Sequence, residues 1–356
     1  MVNTNKNISH HVISWYNANK RLLSFRDTKD PYKIWLSEIM LQQTKVSTVL
    51  PYYEKWIIKY PTIKSLYNAN LDTLLKLWEG LGYYNRCNNF YKSIKIICDY
   101  HNGKIPSDKT TFLSLPGVGD YTASAVLSIA FNKPYPVIDG NVKRVLSRML
   151  GIRRITNYNK KRMVKFLKSI IHNKNPGDFN QGMMEIGSLI CKPLNPCCHK
   201  CPLNDYCYSF KKGTPENYPL KVKPKPKPHY KVVVAIIWNN KKFYIQKRNY
   251  NKMLGGLWEF PGGKIDDAEN AEVGLIRKIY KECGVSIIIL KKAGYIKHAY
   301  SHYKLTLHCY FCKPTNHILK ENFKRKWISI KQIKDYSFPK ANHKLFQLLE
   351  SKNWYA

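Results

Sequence analysis

The chain has few acidic residues, and this scarcity narrows the class of its partners. Its 356 residues contain 23 Asp and Glu against 60 Lys and Arg, which gives a formal net charge of +37. Such an imbalance favours polyanions such as nucleic acid, through counterion release and electrostatic steering. Because lysine is abundant along the whole chain, the charge alone does not locate a binding surface.

Long apolar runs are also missing. No run approaches the roughly 18 residues that a membrane span needs, and the N-terminal MVNTNKNISHH lacks the apolar centre of a secretory signal. We therefore expect no membrane partner and a cytoplasmic, nucleoid-associated protein of bacterial type. In a reducing compartment the 10 cysteines are expected to serve as free thiols or metal ligands before disulfides.

The length suits two domains, and the pattern changes once along the chain. Residues 1–212 carry helical apolar spacing, and residues 230–356 carry strand-like alternation around one helical stretch. Between them, residues 213–229 read GTPENYPLKVKPKPKPH, and alternating Lys and Pro predict an extended, semi-rigid linker. The predicted fold is multidomain, with an all-α part followed by an α+β part.

A glycine-rich turn followed by one acid dominates the helical part. Residues 115–119, LPGVG, separate two helical stretches, and VIDGN places Asp139 directly before another helix. Backbone donors at the start of a helix favour an anion such as phosphate. The same reasoning predicts that helix-terminal amides keep Asp139 ionised. An ordinary helix–turn–helix with capping residues is the alternative.

A second acid, Glu38, lies in the run IWLSEIMLQQT. Its apolar neighbours allow either a place on the solvated stripe of a helix or partial burial with a raised pKa. Periodicity alone favours the solvated stripe.

Four cysteines within a short segment predict a metal site. These cysteines are Cys191, Cys198, Cys201 and Cys207, and they follow the spacing C-x6-C-x2-C-x5-C. If the register shifted by one residue, Cys197 could take the place of Cys198. Zinc modules usually contain two close pairs, whereas this spacing has one close pair with single flanking ligands. A loop of this kind suits a [4Fe–4S] cluster.

Together, LPGVG, the Tyr121-Thr122-Ala123 that follows it and VIDGNVxRVLxR resemble the helix-hairpin-helix superfamily of DNA glycosylases, with two helical subdomains and an iron–sulfur loop. SEIMLQQT and GLGYYNR are similar to the branch that contains endonuclease III and the MutY family of adenine DNA glycosylases. The cysteine spacing matches that branch as well. In this resemblance Asp139 is catalytic, Glu38 marks the adenine branch as general acid, and the cysteines bind a [4Fe–4S] cluster.

The resemblance also implies roles for further residues. It assigns Tyr121 and Asn141 to the catalytic group, Arg26, Leu41 and Gln181 to an adenine pocket, and Gln43, Thr44, Leu81, Tyr83, Gly117, Val118 and Gly119 to DNA binding. From the residues alone, these polar and aromatic side chains could equally lie at helix ends, in interhelical turns or on a helix surface.

The C-terminal part resembles the Nudix fold. Gly263, Glu269, Arg277, Glu282 and Gly284 fit its signature, but Lys278 and Lys281 stand where the family has glutamates. Because lysines repel the divalent cations that Nudix hydrolysis requires, we expect the fold without the hydrolase.

A degenerate Nudix-like domain behind a glycosylase domain is similar to the MutY family, in which it recognises 8-oxoguanine. The segment HAYSH matches that family's Phe-Ser-His loop, with Tyr300 replacing the phenylalanine. Ser301 and His302 are then expected to contact the oxidised base. A simple loop between two strands is the alternative.

These resemblances predict a monomeric enzyme of base excision repair that acts on double-stranded DNA with A:8-oxoguanine or A:G mispairs. It would hydrolyse the N-glycosidic bond of adenine and leave an abasic site. The alternatives are a bifunctional endonuclease III-like pyrimidine glycosylase and lyase, a Nudix nucleotide pyrophosphatase, and a noncatalytic DNA-binding protein. Glu38 and Tyr121 disfavour the first, because a phenol cannot form the Schiff base that a lysine forms.

Overall fold

Contacts between residues divide the chain into two compact units. The computed structural model describes residues 2–222, 225–250, 252–315 and 319–351. One unit comprises Met1–Asn68 with Asn89–Lys223, and the other comprises Ala69–Asn88 with Pro224–Ala356. Residues 223–224, inside the predicted linker, lie outside the described residues. Within the described ranges, no helix combines the length and apolarity needed to cross a bilayer.

The chain up to residue 212 is helical. In chain order the α-helices are α1 (Val2–Asn19), α2 (Pro31–Leu41), α3 (Val46–Lys59), α4 (Ile63–Tyr67), α5 (Leu71–Leu77), α6 (Asn85–Tyr100), α7 (Lys109–Leu113), α8 (Asp120–Phe131), α9 (Gly140–Met149), α10 (Asn157–Ile170), α11 (Pro176–Glu185) and α12 (Tyr208–Lys211). A π-helical turn, Ile186–Ile190, continues α11.

Helix α2 forms where a capping residue and a proline precede a run of mostly apolar residues. Asp30 caps it by accepting a hydrogen bond from the Tyr32 amide, and Pro31 occupies its first turn. Trp35 is fully buried and makes edge contacts with Phe90 and Phe112, at ring-centroid distances of 4.7 and 5.2 Å. Such packing fixes the helix that carries Glu38.

The second unit contains a seven-stranded mixed sheet with a helix on each face. Its strands are β1 (His229–Asn239), β2 (Lys242–Lys247), β3 (Trp258–Glu259), β4 (Gly262–Lys264), β5 (Ile287–Ala299), β6 (Lys304–Pro314) and β7 (Arg325–Ile328). The order is β3-β2-β1-β6-β5, with β4 paired to β1 and β7 to β2. Strands β1 and β6 are parallel, and the other pairs are antiparallel.

Two helices cover this sheet. Helix α13 (Ala271–Cys283) packs Leu275 and Ile279 on one face, and α14 (Lys340–Glu350) packs Leu345 and Leu349 on the other. The apolar spacing of residues 271–283 predicts a helix, and α13 occupies those residues between the strands. The fold class predicted from the sequence, helical followed by α+β, is confirmed.

Residues 69–88 group with the sheet-containing unit, although they precede it by about 140 residues of chain. Lys247 forms an ion pair with Asp72, and the Glu79 carboxylate accepts hydrogen bonds from the Phe338 amide (2.8 Å) and lies 2.9 Å from His343 Nε2. This segment carries two of the predicted DNA-binding residues, Leu81 and Tyr83, which therefore belong to the second unit.

Candidate active site

The first unit contains a cavity of about 630 Å³ onto which both predicted catalytic acids open. Helix α2 supplies Glu38 and the start of α9 supplies Asp139. The other predicted site residues that line it are Arg26, Leu41, Gln43, Thr44, Gly117, Gly119, Tyr121, Asn141 and Gln181. Residues from five separate segments of the sequence therefore converge on one space.

Glu38 is buried, with 6% of its surface exposed. The interpretation from periodicity alone, a solvated stripe, is wrong because α2 is buried on nearly all sides. The Tyr121 hydroxyl donates a hydrogen bond to Glu38 Oε2 at 2.7 Å. Burial raises the pKa of the Glu38 carboxyl, although the Tyr121 hydrogen bond and the charge of Arg26 oppose the rise.

Asp139 caps α9. Its Oδ1 accepts a hydrogen bond from the Val142 amide at 2.6 Å, and its Oδ2 accepts one from Asn141 Nδ2 at 3.0 Å. Burial nevertheless raises the pKa of Asp139, because desolvation outweighs these hydrogen bonds. The neighbouring amides favour the ionised carboxylate while burial opposes them, so the ionised state of Asp139 stays a prediction.

Tyr121 and Asn141, the other two residues predicted for the catalytic group, contact different acids. Tyr121 contacts Glu38, whereas Asn141 contacts Asp139. Arg144 fixes the Asn141 amide, since its Nη2 donates to Asn141 Oδ1 at 3.0 Å, and the same side chain donates through Nε to the Cys191 carbonyl at 2.7 Å. The orientation of Asp139 thus depends on a short chain of hydrogen bonds that reaches the cysteine loop.

A third buried carboxylate lies in the same cavity. Glu185 has no exposed surface and forms ion pairs with Arg21 and Arg26, with a distance of 2.9 Å from its Oε1 to Arg26 Nη1. Burial alone would raise the pKa of Glu185, but the two guanidinium groups hold it below its ordinary value. Sequence reasoning missed Arg21 and Glu185, which are 164 positions apart and belong to no local motif.

The glycine-rich turn lies beside this cavity. Gly117 has a φ of +79°, and a Cβ placed there would lie 2.8 Å from Asn89 Cβ, so both conformation and space require glycine. Gly119 begins α8 without a side-chain cap, and Val118 points inward with 8% exposure. Gln43 follows α2 with a φ of +57°, which is uncommon for a residue with a side chain.

The four cysteines of the predicted cluster line one small cavity: Cys191, Cys198, Cys201 and Cys207. Cys197 is exposed and does not line it. Arg148, which also lines the cavity, approaches Cys191 Sγ through Nη1 at 3.2 Å and donates to the Lys192 carbonyl at 2.8 Å. In the described part of the chain, no three His, Cys, Asp or Glu side chains are arranged to hold a single metal ion.

The second unit brings together residues that the sequence separates by more than 200 positions. The Tyr83 hydroxyl donates a hydrogen bond to Ser301 Oγ at 2.8 Å, and the Tyr83 and His302 rings pack edge to face with centroids 6.3 Å apart. Tyr83 has a φ of +48°. Leu81 is buried with 5% exposure, so the DNA contact predicted for it is not open in the free protein.

Comparisons with known proteins give the same two parts. A model of the HhH-GPD superfamily base excision DNA repair proteins matches residues 36–171, and a NUDIX domain model matches residues 232–348. A solved thermostable thymine-DNA glycosylase is 28% identical, with a TM-score of 0.54, over 59% of this chain and 98% of its own. A trapped endonuclease III–DNA covalent intermediate is 25% identical, with a TM-score of 0.50, over 59% and 98%.

The similarity extends along nearly the whole chain. An adenine DNA glycosylase from Buchnera aphidicola subsp. Acyrthosiphon pisum (strain APS) is 36% identical over 344 residues, which is 95% of this chain and 96% of that protein. The first match lies in the helical part of the chain and the second in the sheet-containing part, and the chain belongs to the adenine DNA glycosylase family.

Proposed function

We propose that the chain hydrolyses the N-glycosidic bond of adenine in double-stranded DNA, opposite 8-oxoguanine or guanine, and leaves an abasic site for base excision repair. It acts as a monomer and does not cleave the strand. The observation that carries this proposal is the single cavity lined by Glu38 and Asp139, in which each carboxyl has a different hydrogen-bonding partner.

Glu38 suits the role of general acid. Adenine leaves most easily when N7 accepts a proton, which requires a donor that is still protonated near neutral pH. The desolvated environment of Glu38 raises its pKa, which favours the protonated acid. Its hydrogen bond with Tyr121 holds the carboxyl in one orientation.

Asp139 suits the role of countercharge. As the base leaves, the sugar acquires oxocarbenium character, and a nearby carboxylate stabilises it more strongly than it stabilises the neutral substrate. The Val142 amide and Asn141 direct the Asp139 oxygens and favour their ionised form. The same carboxylate can guide water to the anomeric carbon.

Excision of adenine should leave the abasic site uncleaved. A lyase step needs an amine that attacks the sugar, and the side chain beside Glu38 is the hydroxyl of Tyr121, whose pKa burial raises well above its ordinary value. A neutral phenol cannot form a Schiff base. This supports monofunctional excision over the bifunctional alternative.

Adenine must leave the base stack to reach these acids. Arg26, Leu41 and Gln181 line the cavity and would surround the extruded base, and Glu185 holds Arg26 in place. Gln43 and Thr44 at its edge would contact the opened duplex, and the turn formed by Gly117, Val118 and Gly119 would bind backbone phosphates. Leu81 would have to move to reach DNA.

We also propose a [4Fe–4S] cluster held by Cys191, Cys198, Cys201 and Cys207. The residues fit, because four thiols line one cavity and each cysteine in such a cluster binds a different iron, so they need not share one coordination sphere. When bound, the cluster would supply a structural crosslink. Arg144 and Arg148 connect this loop to α9.

The assignment of Cys198 over Cys197 can be tested directly. Cys198→Ser should lose most of its iron and the visible absorbance of an iron–sulfur cluster, because a hydroxyl is a poor ligand for this metal. Cys197→Ser is the matched control, since its thiol is exposed and adjacent in sequence, and it should keep the iron content of the wild type. Equal iron in both variants, or loss only in Cys197→Ser, would show that the ligand set is wrong.

The contact of Tyr83 with Ser301 and His302 supports recognition of 8-oxoguanine by the second unit. This base differs from guanine by a proton on N7 and a carbonyl at C8, which a hydroxyl can distinguish as acceptor and donor. In the free protein Ser301 Oγ already accepts a hydrogen bond from Tyr83, so it is held by a neighbour that could stack on a base.

Excision rates on A:8-oxoguanine, A:G and A:T duplexes test the function. The wild type should release adenine from the first two with the strand intact until alkali is added, and should favour A:8-oxoguanine.

Ser301→Ala should reduce the ratio of the A:8-oxoguanine rate to the A:G rate about 2- to 10-fold, the effect of one hydrogen bond. Ser286→Ala, an exposed serine elsewhere in this unit, should leave the ratio unchanged.

Two outcomes would count against monofunctional adenine excision, and a third would count against the role of Ser301. Release of a pyrimidine, or strand cleavage without alkali, would favour the endonuclease III-like alternative. An unchanged ratio in Ser301→Ala would remove Ser301 from recognition while leaving adenine excision intact.

A further inference from the structure

Glu79 is a mostly buried acid that the reaction on adenine does not use. It does not line the adenine cavity, and its side chain is only 17% exposed. The carboxylate accepts hydrogen bonds from Lys76 Nζ at 2.7 Å and from the Phe338 amide at 2.8 Å, and its Oε1 lies 2.9 Å from His343 Nε2. Burial alone would raise the pKa of Glu79, but these contacts hold it below its ordinary value. An ionised carboxylate is therefore fixed by three polar partners.

Two of these partners belong to the core of the second unit. Phe338 is fully buried and packs edge to face against Phe346 of α14, with ring centroids 5.0 Å apart. His343 lies on the same helix. Lys76 adds a further bond to this region, because its Nζ also donates to the Tyr336 carbonyl at 3.0 Å. The carboxylate is therefore held against a well-packed part of the unit.

The turn that follows Glu79 depends on neighbouring contacts. Gly80, Gly82 and Tyr83 have φ angles of +106°, +73° and +48°. Glycine tolerates such angles, but Tyr83 adopts one only where the surrounding structure holds it there. Trp78, which is fully buried, donates a hydrogen bond from Nε1 to the Gly82 carbonyl at 3.1 Å. Glu79 lies directly between this buried indole and the turn, so its contacts help to fix both.

The turn ends at the contact proposed above to read 8-oxoguanine. The Tyr83 hydroxyl donates to Ser301 Oγ at 2.8 Å, and the Tyr83 ring lies edge to face with His302. Because Tyr83 follows Glu79 by only four positions, a displacement of Glu79 would also move the Tyr83 hydroxyl. A hydrogen bond weakens steeply when its geometry departs from the optimum. The orientation of Ser301 therefore depends on a carboxylate outside the recognition loop.

We propose that Glu79 is a positioning residue for the recognition of 8-oxoguanine. By holding the turn at residues 80–82 to α14 and the residues before it, Glu79 keeps Tyr83 where its hydroxyl orients Ser301. This inference rests on the role proposed above for Ser301 in recognising the base. Loss of Glu79 should lower the preference for A:8-oxoguanine over A:G and leave the chemistry on adenine unchanged.

Hydrogen exchange of the full-length protein without DNA tests the positioning step. In Glu79→Ala, the backbone amides of residues 80–86 should exchange at least about fivefold faster than in the wild type, because the turn can open locally. Glu79→Gln should lie closer to the wild type, since its amide oxygen can still accept from the Phe338 amide. Glu350→Ala is the matched control, because this glutamate is exposed at the end of α14, and residues 80–86 should exchange in it as in the wild type.

Excision rates test whether this position matters for recognition. Glu79→Ala should reduce the ratio of the A:8-oxoguanine rate to the A:G rate about 2- to 10-fold, with the A:G rate within about twofold of the wild type. Glu79→Gln should recover part of the ratio. In a double variant with Ser301→Ala, Glu79→Ala should cause no further reduction, because both changes remove the same contact.

Three results would overturn the proposal. They are unchanged exchange of residues 80–86 in Glu79→Ala, an unchanged ratio in that variant while Ser301→Ala lowers it, and additive losses in the double variant. An unchanged ratio in Ser301→Ala would instead reject the role of Ser301, and faster exchange in Glu79→Ala would then still support the positioning of Tyr83. If Glu79→Ala unfolds early, His343→Ala removes one contact and keeps the bond to the Phe338 amide, and it should show the same changes to a smaller extent.

Discussion

Glu38→Gln should slow single-turnover excision of adenine about 10²- to 10⁴-fold, the usual contribution of a positioned general acid. Glutamine keeps the shape of the side chain and can still accept the hydrogen bond from Tyr121, but it has no proton to give. The wild-type rate should fall as the pH rises through the raised pKa of Glu38, because the ionised carboxylate is not an acid catalyst. The variant should lack that descending limb.

Folding and binding provide the controls for this variant. Since burial penalises the charged form of Glu38, a neutral amide should leave the melting temperature equal or higher. Glu54→Gln, an exposed glutamate on α3, should retain the wild-type rate and pH profile. If Glu38→Gln binds the duplex and excises adenine at nearly the wild-type rate, the general acid has been assigned wrongly.

Asp139→Asn should reduce the same rate constant about 10²- to 10³-fold, the loss typical when one strong electrostatic contact to a developing charge is removed. Asparagine can still cap α9 by accepting from the Val142 amide, so the helix should survive. The new amide NH2 group could face Asn141 Nδ2, so that two donors would oppose each other. The Asn141 amide cannot rotate to relieve this, because Arg144 donates a hydrogen bond to Asn141 Oδ1. The charge is lost and the local order is partly disturbed.

The chain offers a close control for the capping role. Asp108 caps α7 by accepting a hydrogen bond from the Thr111 amide at 2.8 Å, and it does not line the adenine cavity. Asp108→Asn should therefore excise adenine like the wild type, with a change in unfolding free energy of less than about 1 kcal/mol. Similar losses of rate in Asp108→Asn and Asp139→Asn would mean that capping, not charge, explains the effect.

The sequence predicts the helices and strands better than the state of the two acids. Periodicity misplaces Glu38, because hydrophobic spacing describes a helix with one wet face and α2 is buried almost throughout. The sequence shows the amides that favour the ionised form of Asp139, but it does not show the desolvation by other segments that raises the pKa of this carboxyl. The resemblance corrected the placement of Glu38, whereas the ionised state of Asp139 stays a prediction.

Three features of the structure were missed from the sequence, each for its own physical reason. The pair of Arg21 with Glu185 joins positions too far apart for any local pattern to reveal. Strand β3 has two residues, which is shorter than any alternation can mark. The alternation in the sequence predicts a strand only at residues 286–290. Strand β5 continues to Ala299, and irregularities in its pairing near Leu290 and Ala293 interrupt that alternation.

Helix α9 connects the proposed catalytic Asp139 to the loop that contains Cys191 and has about three turns. Its first residue follows Asp139. Arg144 at the middle of the helix donates a hydrogen bond to the Cys191 carbonyl, and Arg148 near the end donates one to the Lys192 carbonyl. We therefore expect that a disordered cysteine loop would displace this helix and change the orientation of the Asp139 carboxylate. With the proposed cluster bound there, iron starvation would weaken the stabilisation of the sugar by Asp139, and the avoidance of mutations would depend on the supply of iron.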